Sequence, residues 1–324
     1  MSEAIFAHEL RKSYRGGVQA LDGLSLTAER GTIFALAGPN GAGKSTTVKI
    51  LTTLSRPDSG EARVAGIDVL RHPDRVRHGI GVVGQKTSAT PEATGRENLV
   101  MQGEIYGVAG RALRKRVDEL LERFQLRDAA ERSTKTYSGG MLRRLDVALG
   151  LVNRPQVLFL DEPTTGLDPE ARTELWREIE RLAGDEEMTI LLTTHYLDEA
   201  DRLAGQLAIV DHGRIVVQGT PEELKSELRG DAIQVELAEA DAGGRIEPAL
   251  RALPGLSETF SDGRTVRARA EHGATAIPSV LAALEREGLA VASVTVLRPS
   301  LDDVYLRYAG RVYQDEAEIG KAAA

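Results

Sequence analysis

Gly38-Pro39-Asn40-Gly41-Ala42-Gly43-Lys44-Ser45-Thr46 decides the fold: it fits G-x-x-x-x-G-K-[ST], the pattern of a loop that closes around phosphate. Its surroundings agree. Before it, Thr32-Ile33-Phe34-Ala35-Leu36-Ala37 is a short apolar run of the kind that makes a buried strand. After it, Val48, Ile50, Leu51 and Leu54 recur at helical spacing, until the turn Arg56-Pro57-Asp58-Ser59-Gly60 stops the helix. Strand, glycine loop and helix in that order aim backbone N–H groups and the positive end of a helix at one anion. Lys44 can then reach the β- and γ-phosphates of a nucleoside triphosphate, and the Ser45 hydroxyl can ligate Mg2+.

The chain has 324 residues, 41% hydrophobic and 28% charged, enough for two domains of ordinary globular composition. Its formal net charge of −8 argues against nucleic acid as the main partner, because binding phosphate backbones needs a basic surface. There are no cysteines, which excludes disulfides, thiolate metal sites and thiol catalysis and fits a reducing compartment. No apolar run approaches the roughly 18 residues of a membrane span, and Met1-Ser2-Glu3-Ala4 does not open an export signal. The expectation is a chain that does not cross a membrane by itself.

Outward from the phosphate loop, residues 4–37 alternate strand-like runs with turns, and residues 11–17 read as a polar loop carrying Tyr14. Residues 61–69 read as strand and turn, and residues 80–84 as a strand ending at Gln85. Leu113, Val117, Leu120, Leu121 and Phe124 recur at helical spacing within a helical insertion. Tyr137-Ser138-Gly139-Gly140-Met141 interrupts that pattern and opens a densely apolar helix. Val157-Leu158-Phe159-Leu160 is a buried strand ending in Asp161-Glu162. Asp168 and Pro169 suit the N-cap and first turn of the next helix, and residues 189–193 form a strand ending near His195. Alternating strands and helices predict a mainly parallel three-layer α/β core. Composition shifts at Arg229-Gly230-Asp231, and beyond it the order β-α-β-β-α-β predicts a small α+β ferredoxin-like domain closed by a short helix at 301–308. The expected domains are 1–229 with a helical insertion at about 94–150, 230–310, and a flexible tail at 311–324.

Gln85, Ser138-Gly139-Gly140, Asp161-Glu162 and His195 follow the phosphate loop in an order that resembles the ATP-binding cassette (ABC) ATPases over residues 4–225. In that resemblance Tyr14 is the aromatic that stacks on adenine, Gly38 to Thr46 is Walker A and Gln85 the Q-loop. Tyr137 to Met141 is the signature, Val157 to Glu162 is Walker B, Thr165-Gly166-Leu167-Asp168 is the D-loop and His195 the switch histidine. The common signature is Leu-Ser-Gly-Gly-Gln; here Tyr137 replaces Leu and Met141 replaces Gln, while Ser138, Gly139 and Gly140 remain to meet a γ-phosphate. That departure, Thr94-Gly95-Arg96-Glu97-Asn98-Leu99, and Arg298-Pro299-Ser300-Leu301-Asp302-Asp303-Val304-Tyr305-Leu306 resemble the daunorubicin-type drug-resistance exporter ATPases.

The resemblance implies an ATPase with ATP and Mg2+. Ser45 would ligate the metal, with Gln85 as a further ligand and Asp161 acting directly or through water; Glu162 would orient and polarise the attacking water. His195 would hydrogen-bond the γ-phosphate, and Lys44 would neutralise its charge. It implies a homodimer in the ATP-bound state, each site taking Walker A from one chain and Ser138 from the other. It also implies a separate transmembrane permease and a place on the cytoplasmic face of the membrane. The work done would be export of a hydrophobic drug, antibiotic or lipid-like molecule. The alternatives are an importer ATPase and a non-transport ABC ATPase acting on nucleic acid or ribosomes. A single cassette, the acidic charge and the absence of sustained heptads stand against the last. A P-loop kinase would leave Ser138-Gly139-Gly140 unexplained.

Overall fold

The computed structural model describes residues 3–228, 230–239, 246–271, 273–297 and 299–309. The chain opens with a long antiparallel hairpin, β1 (Glu3–Tyr14) and β2 (Val18–Glu29), which buries Ile5, Leu10, Leu21 and Leu24. Tyr14, expected in a loop, ends β1 and pairs with Val18. The polar stretch stays in the strand because the Asp58 carboxylate accepts from Lys12 Nζ at 3.0 Å and from Ser13 N at 2.6 Å. β3 (Ile33–Ala37) is buried along its whole length, as befits a strand covered on both faces.

The helix after the phosphate loop, α1 (Lys44–Leu51), is shorter than its apolar spacing predicts. Leu54, expected on its buried face, is 72% exposed. The chain reverses at Thr53 (φ +66) and folds the N–H groups of Leu54 and Ser55 back onto the Lys49 carbonyl, well before the turn at Pro57. β4 (Ser59–Val64) and β5 (Ile67–Asp68) complete a four-stranded sheet in the order β2-β1-β4-β5. Helix α2 (Pro73–Gly79) leads into β6 (Ile80–Val83).

The helical insertion holds α3 (Gly95–Ile105), α4 (Gly110–Arg123) and α5 (Gly139–Gly150), with short 3-10 turns between the last two. Thr94 starts α3 with a full capping box: its hydroxyl accepts from Glu97 N, and the Glu97 carboxylate accepts from Thr94 N, an arrangement that stabilises by about 1 kcal/mol. α3 stops where Gly107 takes φ +76, a left-handed turn that glycine adopts without strain.

The core α/β part follows: β7 (Val157–Asp161), α6 (Pro169–Gly184), β8 (Thr189–Thr194), α7 (Leu197–Leu203), β9 (Gln206–Asp211) and β10 (Arg214–Gly219). Six strands form one sheet in the order β10-β9-β3-β8-β7-β6, parallel except for β10 at one edge. Helix α1 lies between the two sheets, and Ile50 and Leu51 join Leu10, Leu24, Phe34, Leu36, Phe159 and Leu191 in one cluster. Each fully buried leucine or phenylalanine there contributes roughly 1.5–3 kcal/mol of transfer free energy.

The chain divides into two compact units between Pro221 and Glu222, ahead of the boundary at 229 and 230 read from composition. The reason lies in α8 (Pro221–Ser226) and the residues after it. Tyr308 Oη donates to Glu227 Oε2 at 2.6 Å and Arg307 Nη1 to the Glu227 carbonyl at 3.0 Å, tying this segment to the second unit. That unit runs β11 (Asp231–Leu237), α9 (Ile246–Arg251), β12 (Leu256–Asp262), β13 (Thr265–Ala270), α10 (Gly273–Arg286), β14 (Val291–Leu297) and α11 (Leu301–Ala309). Its antiparallel sheet, in the order β12-β13-β11-β14, is the ferredoxin-like arrangement, with Ile233, Val235, Leu250, Val266, Val280 and Leu284 in its core. The expected tail at 311–324, and Arg298 of the C-terminal motif, lie outside the described residues.

Candidate active site

The phosphate loop, Gln85, Asp161-Glu162 and His195 all lie at or just past the carboxyl ends of β3, β6, β7 and β8, the edge at which α/β sheets take ligands. The loop is pressed against its own scaffold. A Cβ on Gly38 would lie 2.1 Å from the Val210 carbonyl oxygen, and one on Gly43, at φ +113, would lie 2.5 Å from that of Ala20. Only glycine allows those approaches. Ala42 is buried, its N–H donating to the Pro39 carbonyl at 3.2 Å, whereas Asn40 and Gly41 are exposed at the loop tip and Thr46 is half-buried.

Lys44 is 4% exposed; its Nζ donates to the carbonyls of Gly38 at 2.8 Å and Pro39 at 3.1 Å and lies 3.7 Å from Glu162 Oε1. Burial pulls its ammonium below the usual lysine value, and the carboxylates of Glu162 and Asp161 oppose that shift. Glu162 is the hub. Its Oε2 accepts from Gln85 Nε2 at 3.1 Å and from Thr165 Oγ1 at 3.4 Å, and lies 3.3 Å from His195 Nδ1. The His195 imidazole beside it holds the carboxyl below its ordinary value of 4.5 against the opposing effect of burial, with help from the Lys44 charge. The backbone at Glu162 takes φ +49, sparsely populated for a non-glycine residue, and is pinned by donation of its N–H to the carbonyl and hydroxyl of Thr193.

Asp161 sits one residue earlier with a different set of neighbours: its Oδ1 accepts from Ser45 Oγ at 3.1 Å and Thr193 Oγ1 at 2.6 Å. The predicted residues Lys44, Ser45, Gln85, Asp161, Glu162 and His195 therefore form one connected cluster. Tyr14 stands at the loop's rim, 41% exposed, with its hydroxyl 3.5 Å from Thr46 Oγ1.

The signature residues are elsewhere. Ser138 N-caps α5 by accepting from Met141 N at 3.2 Å, and Asp168 N-caps α6 by accepting from Glu170 N and Ala171 N. Ser138, Gly140 and Asp168 line a separate depression with Arg143, Arg144 and Glu174. None of the described hydrogen bonds of Ser138 or Asp168 reaches the Lys44–Glu162 cluster. Gly139 is exposed, with open space where a side chain would be.

Several residues at the site escape a reading of the sequence. Thr193 bridges Asp161 and the Glu162 backbone, yet a threonine in a buried strand looks like ordinary β preference. Arg143 and Asp146 are buried on α5, at 7% and 4% exposed, and bond to the loops around Gln85 and Glu162. Charges on the buried side of a dense apolar helix were their only signal. Glu199 is 1% exposed, accepts from Thr164 Oγ1 at 2.9 Å and Trp176 Nε1 at 2.8 Å, and is raised by burial.

A family model described as "ABC transporter" matches residues 21–165, and one described as "ATP-binding protein DrrA1-3-like, C-terminal domain" matches residues 219–309. The chain is 44% identical over 321 residues, 99% of both chains, to the daunorubicin resistance ATP-binding protein DrrA3 of Streptomyces coeruleorubidus. It is 45% identical over 317 residues, 98% of this chain and 95% of the other, to the daunorubicin/doxorubicin resistance ATP-binding protein DrrA of Streptomyces peucetius. Among solved structures, CbiO1 of Clostridium perfringens, part of the ABC transporter complex CbiONQ, aligns at a TM-score of 0.64. It shares 28% identity, over 70% of this chain and 92% of that one.

Proposed function

Because the chain belongs to the ATP-binding proteins of ABC transporters, and within them to the daunorubicin-resistance type, we propose that Lys44, Glu162, Gln85 and His195 carry its ATP hydrolysis and that this hydrolysis drives drug export. The observation that carries the site reading is the convergence of Lys44, Gln85 and His195 on the one carboxylate of Glu162. A carboxylate kept ionised beside a buried lysine can align and polarise water, and Lys44 can exchange its contacts with Gly38 and Pro39 for phosphate oxygens. Tyr14, exposed at the rim, offers a ring face to the base.

The oxygens next to Ser45 fit Mg2+: Ser45 Oγ and Asp161 Oδ1 lie 3.1 Å apart and suit a hard cation, and Gln85, whose Nε2 donates to the neighbouring Glu162, would add its amide oxygen by turning that side chain over. Ser45, Asp161 and Gln85 are the residues that would hold it, Asp161 directly or through water. When bound, the ion neutralises charge on the transferring phosphoryl oxygens. Thr193 holds Asp161 in place for that task.

ABC ATPases as a family dimerise and work with a membrane permease. For this chain we infer a head-to-tail dimer in the ATP-bound state. Ser138 caps α5 away from the Lys44 cluster, so a second chain can bring its own Ser138 to the phosphate held by Lys44. Gly139 supports this: among the described residues nothing lies within 4 Å of where its side chain would be, and glycine in a helix costs up to about 1 kcal/mol relative to alanine. Asp168 lines the same depression as Ser138, so it would take part in that junction. Among the described residues no helix is long and apolar enough to cross a membrane. The permease is then a separate chain, which the ATPase meets at the cytoplasmic face of the membrane. Export of a hydrophobic drug or antibiotic follows the resistance named for both relatives.

The site assignment is tested by Lys44→Ala. The expected outcome is an ATP affinity weakened at least about tenfold and hydrolysis at background, since a compact cation is lost from the phosphate loop. Undiminished ATPase activity in the folded variant would sink the assignment.

A further inference from the structure

Helix α5 buries two charges that the reaction scheme leaves unused. The planar guanidinium of Arg143 donates from Nη1 to the Gly84 carbonyl at 2.7 Å, from Nε to that of Pro163 at 2.5 Å and from Nη2 to that of Asp161 at 3.3 Å. Gly84 precedes Gln85, while Asp161 and Pro163 stand on either side of Glu162. On the same face of the helix, Asp146 Oδ1 accepts from Thr87 Oγ1 at 3.0 Å and from Ser88 N at 2.9 Å, just beyond Gln85.

We propose that Arg143 and Asp146 are positioning residues for ATP hydrolysis: from one face of α5 they grip the Gln85 loop on both sides and hold the backbone that flanks Glu162. The inference rests on the ATPase reading and extends it to residues that do not touch the substrate. Packing alone does not call for this pair. Well-packed apolar side chains of similar volume commonly serve a buried site as well as charges do. What charges add here is direction. A guanidinium spreads its donors over three nitrogens in one plane, so Nε, Nη1 and Nη2 each reach a different carbonyl, and those carbonyls belong to the loops that present Gln85 and Glu162. Glu162 itself is in a strained conformation that relaxes unless its neighbours fix it. Ser138 caps the same helix, so whatever engages Ser138 acts on the rigid element that sets the geometry of Glu162.

The test uses the full chain, with activity expressed per nucleotide-binding molecule and melting temperature measured separately. Arg143→Lys keeps the charge but offers one nitrogen where Nε, Nη1 and Nη2 meet three separate carbonyls. Its kcat should fall on the order of tenfold to a hundredfold, the effect of a misplaced catalytic group, with KM and nucleotide Kd within about threefold of the parent. Asp146→Ala should lower kcat on the order of tenfold, and Asp146→Asn, which keeps the acceptor oxygen, should restore most of it. In a Gln85→Ala background the Asp146→Ala effect should shrink to about twofold or less, because Asp146 acts through that loop. Variants that lose melting temperature but keep kcat overturn the proposal, as does an Asp146→Ala effect undiminished without Gln85. Failure of both Arg143→Lys and Asp146→Ala to bind nucleotide also overturns it, by showing that the pair holds the fold instead of the chemistry. A parent chain that does not hydrolyse ATP brings down the underlying reading as well, and is distinguished by that result alone.

Discussion

Glu162 ties the chemistry of the site to its stability. Its carboxyl is held below 4.5 by His195 and by the Lys44 charge, so its ionised form is the one the fold prefers. A carboxyl depressed in the folded state contributes stability above its unfolded value, and that contribution is lost as pH falls through the folded one. Glu162→Gln should therefore destabilise the protein by about 1–3 kcal/mol at neutral pH, where it also leaves the buried Lys44 ammonium less compensated. The difference in melting temperature between the two proteins should narrow as pH drops below the carboxylate range; a gap that stays constant with pH contradicts the assignment. Glu162 and Lys44 were legible because their motifs have fixed spacing. Thr193 was not, since its role comes from lying beside Asp161 on a neighbouring strand, a relation that no run of sequence records.

At the scale of elements, the approach of α5 to β6 sets where the Gln85 loop begins. A Cβ on Gly81 would lie 2.0 Å from the Gly150 carbonyl oxygen and 2.9 Å from Leu158 Cδ1. Gly81→Ala should push the strand and helix apart at a cost of about 1–3 kcal/mol, visible as a lower denaturation midpoint. Gly79→Ala, two residues away with nothing within 4 Å, is the control and should change little. Strands β3, β7 and β8 were legible because each is a continuous apolar run bounded by turn residues. Helix α2 was missed: Pro73 to Gly79 buries only Val76 and leaves no apolar stripe to detect. The end of β1 at Tyr14 looks like a loop in the sequence because its last residues are polar, and the carboxylate that anchors two of them, Asp58, comes from far along the chain.

At the scale of the whole molecule, the shared-site reading has a direct readout. Glu162→Gln should accumulate as an ATP-bound dimer in light scattering, and adding Ser138→Arg should abolish that dimer while leaving ATP binding by the single chain largely intact. A Glu162→Gln protein that binds Mg-ATP yet stays monomeric with its permease present would falsify it. The division between the two units makes a second prediction. A chain ending at Pro221 should fold and bind nucleotide, whereas one ending at 229 keeps Leu224 and Leu228, buried here at 1% and 2% exposed, without the α11 residues that hold their segment. The longer fragment should be the more prone to aggregate. The composition change at Arg229-Gly230-Asp231 lies past the division between the two compact units, because the residues just before it are polar outside and apolar only where they pack. The sheet order also bears on how the protein comes to exist during synthesis. β3, which carries the phosphate loop, is flanked by β8 and β9, whose first residues, Thr189 and Gln206, are made long after Ala37. Until then Phe34 and Leu36 belong to a strand with no neighbours on the growing chain, and pairings this distant in sequence form slowly. A ribosome-bound chain stalled before residue 189 should thus be sensitive to protease and dependent on chaperones, becoming resistant only once Asp211 has emerged and β9 is complete.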